Sequence, residues 1–466
     1  MPPTLALLLT LGFIIYLIWK DNRESPGVSG ALWLPVIWML IIGSRFASQW
    51  IEQFGLGVGA ASGVKDLEEG SPVDALVFFG LIASGLYVLG KRGVRFAEVF
   101  RSNRWLVIYL LYCLVSIVWS DFPLVALKRW IKILGHPIMV LIVLTEVNRI
   151  QALTKLFKRC AIILITMSVL FVKYYPEYGR RYSEWTGQAF ITGVTTNKNS
   201  LGYLCMSFGF FFVWLFLRTW SLRPSPWRRK ELVICVLYFG LSVWMLTMAD
   251  AKTALLTFLI SSGTAVLLGT RWIVKKHIGK YIVAALALAV AAQLVFGAYE
   301  QTVGALGRDP TLTDRTKVWH DVLAIDTDPI LGTGFESFWL GERLQRLWDK
   351  YWWRPNQAHN GYIETYVNLG IVGLGLLVVL VISTFLKIRR DLLTNFEVGQ
   401  FRLPLLLAIL LFNWTDAIFK ALHPLWFVFF VIAMDYPPRR RPSRPDMVES
   451  SDHEGRIQSQ PMFHPA

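Results

Sequence analysis

The amino-acid sequence predicts an all-α, polytopic membrane protein of about 12–13 transmembrane helices, with one large outer loop carrying short amphipathic helices. Composition is the first reason: of 466 residues, 54% are hydrophobic and 17% charged, with mean hydropathy +0.46, more apolar than a soluble core accounts for. Spacing is the second. Apolar runs of about twenty residues recur along most of the chain, with short polar punctuation between them. Third, no strand-like alternation dominates, so the spans read as helices whose backbone polar groups are satisfied within the segment.

Taken in order, the apolar stretches cover residues 4–19, 31–43, 73–90, 105–119, 131–145, 160–174, 200–217, 232–248, 253–270, 281–297, 362–386, 404–418 and 422–435. The first has no cationic flank ahead of it and no convincing cleavage site, so it reads as a span and not as a removable signal peptide. Basic clusters occupy alternate loops: Lys91 to Arg104, Arg149 to Arg159, Arg218 to Lys230, Arg271 to Lys280, and Lys387 to Arg402. By the positive-inside rule these loops face the cytoplasm, which explains the excess of 47 Lys and Arg over 32 Asp and Glu without nucleic acid. Residues 175–199 and 299–361 then lie outside. The expected divisions are N-terminal membrane helices over 1–297, the extracytoplasmic loop over 298–361, C-terminal membrane helices over 362–435, and a disordered cytoplasmic tail over 436–466.

Several chemistries find no support. Cys113, Cys160, Cys205 and Cys235 sit in or beside apolar runs without a C-x-x-C pair, so they read as packing residues. There is no nucleotide-binding G-x-x-x-x-G-K-[ST] sequence and no transporter-type internal repeat. No histidine makes a metal-ligand spacing, so neither a catalytic metal nor another cofactor is expected.

The outer loop concentrates the polar residues. A first short helix is expected, capped by Thr311 with Asp314 or by Thr313, with Val318, Val322 and Ile325 on one face and Asp328-Pro329 ending it. Leu344, Leu347, Trp348 and Tyr351 form the apolar face of a second. The aromatic density, with Trp339, Trp352 and Trp353 added, predicts a lid lying on the lipid interface.

Arg315 leads the first lid helix, four residues before Trp319, and its guanidinium can grip a phosphate through two parallel hydrogen bonds. The same residue type also suits a lipid headgroup or an ion pair with Asp314 or Asp321. His359 stands before a long apolar helix, with Asn360 as its expected N-cap, and the exposed amides of a helix start disfavour protonation and welcome a diphosphate. A neutral imidazole there can serve as a general base, or simply lead into the helix. Arg180 and Lys198, in outer segments ahead of a membrane helix, and Lys252 beside Asp250, could hold phosphate or sugar hydroxyls; capping and snorkelling look the same in sequence.

The run Asp314-Arg315-Thr316-Lys317-Val318-Trp319, then Pro329-x-x-Gly332-x-Gly334-Phe335-x-x-Phe338-Trp339, then His359-Asn360-Gly361-Tyr362-Ile363-Glu364 resembles the O-antigen ligase and polymerase superfamily, most of all its exopolysaccharide polymerase branch. Asn197-Lys198-Asn199-Ser200-Leu201-Gly202 and Asn413-Trp414-Thr415-Asp416 extend the resemblance over residues 175–435. It implies a type C, metal-independent, inverting glycosyltransferase of the bacterial plasma membrane, active on its outer face. The implied donor is an undecaprenyl-diphosphate-linked oligosaccharide, and the acceptor a glycan or lipid-glycan. Arg315 would contact the diphosphate and His359 assist the acceptor hydroxyl. A second family arginine aligns with Lys252, and the family's usual glycine before the loop arginine is Asp314 here. Membrane lipids and polysaccharide chain-length and export proteins are the further partners considered.

The leading expectation is a polymerase that joins lipid-linked repeat units into exopolysaccharide or O-antigen. The alternative within the class is a ligase passing finished glycan to lipid A core or another acceptor. From another class comes a transporter or flippase of lipid-linked saccharides, which the concentration of polar residues at one surface disfavours.

Overall fold

Long apolar sequence becomes long helix because a bilayer leaves the backbone no other partner than itself. The computed structural model describes residues 1–24, 27–55, 70–182, 187, 189–296 and 315–437. In chain order its helices are α1 (Pro3–Glu24), α2 (Trp33–Ile42), α3 (Ala47–Gln53), α4 (Pro72–Lys91), α5 (Phe96–Ser102) and α6 (Arg104–Val115). Next come α7 (Pro123–Leu144), α8 (Arg149–Tyr174), α9 (Pro176–Gly179), α10 (Lys198–Trp220), α11 (Pro226–Met248), α12 (Lys252–Gly269) and α13 (Ile278–Phe296). After the loop follow α14 (Arg315–Ala324), α15 (Gly341–Lys350), α16 (Gly361–Thr394), α17 (Phe396–Asn413) and α18 (Pro424–Ala433). An antiparallel hairpin of β1 (Arg180–Tyr182) and β2 (Ala189–Ile191), which the sequence did not announce, pairs Arg181 with Phe190.

Each predicted apolar stretch overlaps a helix, although 404–418 runs past the end of α17 at Asn413 and leaves Asp416 in the turn that follows. Among the described residues, seven helices are long and apolar enough to cross a membrane, or up to nine if two bent pairs are single spans. The predicted stretches beyond these include α7 and α8, which are long but carry Lys128, Arg129 and Lys132 and Lys155, Lys158 and Arg159, and α18, which is only ten residues. The expected caps Thr311, Thr313 and Asp314, and the tail from residue 438, lie outside the described residues.

Two helices form the centre. α10 is apolar all round and buried almost throughout, and α17 is mostly buried beside it, whereas α4, α11 and α12 keep much of their surface outward. Tyr203 of α10 packs on Phe412 of α17, while Trp214 donates to the Glu397 carbonyl, so the two run antiparallel. The start of α10 and the end of α17 therefore share one end of the bundle. A Cβ on Gly202 would come within 2.8 Å of the Ala251 Cβ, so only glycine allows α10 to approach α12 this closely.

The glycine motif of the loop has a packing role. α16 is broken at Gly370, whose φ of 62° is left-handed, and a Cβ there would lie 2.0 Å from the Ile330 carbonyl oxygen. The Pro329 and Ile330 carbonyls accept the Ile371 and Val372 amides, and the Thr333 amide donates to the Val367 carbonyl at 3.1 Å. The loop thus takes the place of the missing helical turn. Asn368 adds a bond to the Phe338 amide at 3.0 Å, fixing the next stretch.

The lid helices form as their patterns predict, with a core of their own. Val318, Val322, Leu344 and Leu347 are buried together with Phe338, Trp339, Ala358 and Val367, and Ile325, Trp348 and Tyr351 pack against them. The aromatic residues differ from the expectation of a lipid-facing surface. Trp339 is buried with its indole N–H on Glu364, Trp348 donates to the Pro355 carbonyl, and Trp353 packs on Tyr351; Trp352 alone of this group is widely exposed. Aromatic side chains fill the lid core because two short helices supply too little aliphatic volume to close one.

Candidate active site

Three helix starts meet at one cleft. α10, α12 and α14 begin at Lys198, Lys252 and Arg315, so each presents its first amides and a cation at the same end of the bundle. Asn197 caps α10 by accepting from the Ser200 amide at 2.8 Å, whereas Ala251 gives α12 no side-chain cap. Asn199, Ala251, Lys252, Thr253, Ala254, Arg315, Phe412, Thr415 and Asp416 enclose about 310 Å³ of space open to solvent. Arg315 Nη1 donates to the Thr415 carbonyl at 2.5 Å, which fixes the guanidinium against the wall. Lys252 Nζ lies 3.0 Å from Asp250 Oδ1, and Lys198 Nζ 4.0 Å from Asp250 Oδ2. Cations and first amides so placed are groups that can hold an anion.

His359 sits between two anchored neighbours. Ala358, fully buried, donates its amide to Glu364 Oε2 at 2.9 Å and accepts the Trp319 indole N–H at 2.7 Å. On the other side Asn360 caps α16, its Oδ1 accepting from Tyr362 and Ile363 as expected. Between them His359 holds a left-handed φ of 51°, a strained conformation that the two anchors impose. Its Nδ1 is 3.6 Å from Asp416 Oδ1 and 3.2 Å from the Gln357 amide nitrogen, and among the described residues Nε2 makes no hydrogen bond. Burial opposes ionisation of Asp416, yet His359, His423 and Arg315 hold its carboxyl well below the usual carboxylate range. A charged Asp416 therefore stands behind His359 and beside Arg315. Burial, with Lys420 near, pushes His423 down to about 4 against the pull of Asp416, and its Nδ1 caps α18.

The sequence candidates separate under this geometry. Arg315 and Lys252 line one cleft; Lys198 joins them through Asp250; His359 reaches it through Asp416. Arg180 lines none of these walls, and its Nε donates to the Val172 carbonyl at 3.0 Å. Asn360 and Trp319 use their polar atoms to position the His359 loop. Asp321, a conceivable partner for Arg315, pairs instead with Lys350 at 2.6 Å and accepts from Tyr351. Three residues were not assigned roles from sequence: Asp416, Glu364 and Lys420, whose Nζ is 3.1 Å from Glu364 Oε1. Their signal was charge amid apolar residues at the two ends of the last spans.

A family described as O-antigen ligase matches residues 236–378, a range that includes Lys252, Arg315 and His359 but stops short of Asp416. The exopolysaccharide production protein ExoQ of Rhizobium meliloti (strain 1021) is 26% identical over 315 residues, covering 64% of this chain and 67% of that protein.

Proposed function

This chain belongs to the O-antigen ligase superfamily, on its exopolysaccharide-production branch, and from that premise we propose that it polymerises undecaprenyl-diphosphate-linked repeat units at the outer face of the bacterial plasma membrane. At the coarser level it is a membrane polymerase or ligase of polysaccharide biosynthesis. The observation that carries the finer reading is the convergence of Arg315, Lys252 and three helix starts on one cleft, with the His359–Asp416 pair at its edge.

The chemistry follows from those positions. The donor diphosphate lies against Arg315, Lys252 and the first amides of α12. The acceptor hydroxyl attacks the anomeric carbon as the bond from that carbon to the phosphate oxygen breaks. The diphosphate leaves with the electron pair, its charge met by the fixed cations. The hydroxyl proton passes to His359 Nε2. Asp416 stabilises the imidazolium that forms and favours the tautomer with its proton on Nδ1, provided the Gln357 amide presents its oxygen, a half-turn of an end-group whose two orientations look alike. Direct displacement inverts the anomeric centre. The left-handed backbone of His359 keeps the base in place before substrate arrives.

The basic end of the bundle then faces the cytoplasm and the cleft faces outside. The test is product length. Purified protein in nanodiscs, given a synthetic undecaprenyl-diphosphate oligosaccharide, should build a ladder of lengthening lipid-linked chains. Arg315→Ala and His359→Ala should lower that rate about 10²–10³-fold while staying folded. Transfer of intact chains to another acceptor without a ladder supports ligase; an unconsumed donor with any glycan acceptor overturns the reading.

A further inference from the structure

A second cleft is lined in part by Asn356 and Glu364, which flank His359 in the chain. Arg129, Glu336, Trp339, Asn356, Glu364 and Lys420 enclose about 600 Å³ of space open to solvent. Residues 416–420 give Asp416 to the first cleft and Lys420 to the second, while residues 356–364 give Asn356 and Glu364 to the second and meet the first only through His359, 3.6 Å from Asp416. The charge differs. The first cleft sets Arg315 and Lys252 against Asp416, a surplus of one cation before the helix starts are counted. The second sets Arg129 and Lys420 against Glu336 and Glu364, two against two, for a net of zero.

Such parity suits a neutral ligand rich in hydroxyls. Each sugar hydroxyl both donates and accepts, so it wants a carboxylate on one side and a cation or amide on the other. Glu336, Asn356, Lys420 and Arg129 offer both kinds around one space, and Trp339 supplies an aromatic wall. Glu336 is also fixed in place: its φ of 50° is left-handed, its carbonyl accepts from Arg129, its Oε1 accepts the Ala421 amide, and its Oε2 lies 4.0 Å from Arg129 Nε in the wall of the cleft.

We propose that this second cleft is the acceptor subsite, where the terminal sugar of the acceptor glycan binds through Glu336, Asn356 and Lys420 and presents its hydroxyl to His359. This rests on the transferase reading above and adds where the acceptor binds. Glu336 is the specificity-determining residue, because its carboxylate reads hydroxyl position while the diphosphate cleft reads only charge.

The test reads binding without donor. The probe is the lipid-free oligosaccharide released by mild acid from the host's own lipid-linked pool, followed by saturation-transfer NMR on full-length protein in nanodiscs. Wild type should bind it; Glu336→Gln and Asn356→Ala should each weaken binding about tenfold; Arg315→Ala should leave it unchanged. Asn356 is exposed and makes the second variant safe for folding. Wild type that fails to bind at millimolar probe, or Glu336→Gln and Asn356→Ala that both bind as wild type does, overturns the subsite. So does loss of binding in Arg315→Ala, which would place the sugar in the diphosphate cleft. Failure of the transferase reading shows elsewhere, as a donor that is never consumed, and leaves this binding result readable by itself.

Discussion

The basic end of the helix bundle and the cleft of Arg315 and Lys252 handle charge in opposite ways. At the basic end Lys158 Nζ lies 2.8 Å from both oxygens of Glu231 and 3.8 Å from Asp21, which also meets Arg159 at 3.3 Å. A second knot there ties Arg402 to Asp391 at 2.7 Å and to Asp435 at 2.9 Å, with Lys387 and Arg390 around them. Carboxylates and cations alternate and face each other across helix ends. At the cleft end Arg315 donates to a backbone carbonyl, Lys252 and Lys198 share one aspartate, and Asp416 serves His359 and Arg315 together. The first arrangement locks helices. The second gathers Arg315 and Lys252 around one open cleft, the arrangement the proposed diphosphate site requires.

That contrast can be broken at either end, and the largest effect is expected from the locked one. Glu231→Ala leaves Lys158 buried without its closest partner and should destabilise the protein by about 3–5 kcal/mol, while the surviving folded fraction keeps its donor affinity. Thermal unfolding in detergent, with donor binding measured per folded molecule, checks both halves. Equal losses of stability and affinity would mean the two ends are not independent.

A smaller effect separates the ends by pH. His423, with Asp416, Lys420 and Tyr203 around it, is held down to about 4 when folded, against about 6.5 when unfolded. As pH falls below about 6.5 the unfolded chain takes up the proton first, so this contribution, about 1–3 kcal/mol, is lost between about 6.5 and 4. Asp416 titrates beneath that window. His423→Gln should flatten the melting temperature across it, and a wild-type profile already flat there would remove the cleft-end assignment.

The smallest effect sharpens the ligand. Lys252 supplies charge without a planar fork, so Lys252→Arg should raise diphosphate affinity about two- to fivefold, read by competition with donor. An unchanged or weakened affinity would take Lys252 out of the diphosphate contact.

Much of this was legible in the sequence, and the limit has a physical reason. Apolar runs fix helices because length and hydrophobicity act locally, so each predicted stretch overlaps one, and the faces Val318–Val322 and Leu344–Leu347 pack as their spacing implies. Arg315, Lys252 and His359 stood out as charge or imidazole at helix starts. Spacing could not show that His359 meets a carboxylate 57 positions later, or that Glu364 and Lys420 pair across a similar gap, because the packing of α16 against α17 sets those distances. Nor could it show that Gly332 and Gly370 answer each other: each is unremarkable until the loop backbone lies in the break of α16. Aromatic density misled for a related reason, since a lid core and a lipid interface attract the same residues.

The most direct measurement is equilibrium binding of undecaprenyl diphosphate, without sugar, to purified protein in nanodiscs, comparing wild type with Arg315→Ala and Glu231→Ala. A diphosphate cleft predicts that wild type and folded Glu231→Ala bind alike, and that Arg315→Ala loses at least about tenfold in affinity. Arg315→Ala binding as tightly as wild type would contradict it, and the cations at this end would then be no more than anchors for the lid.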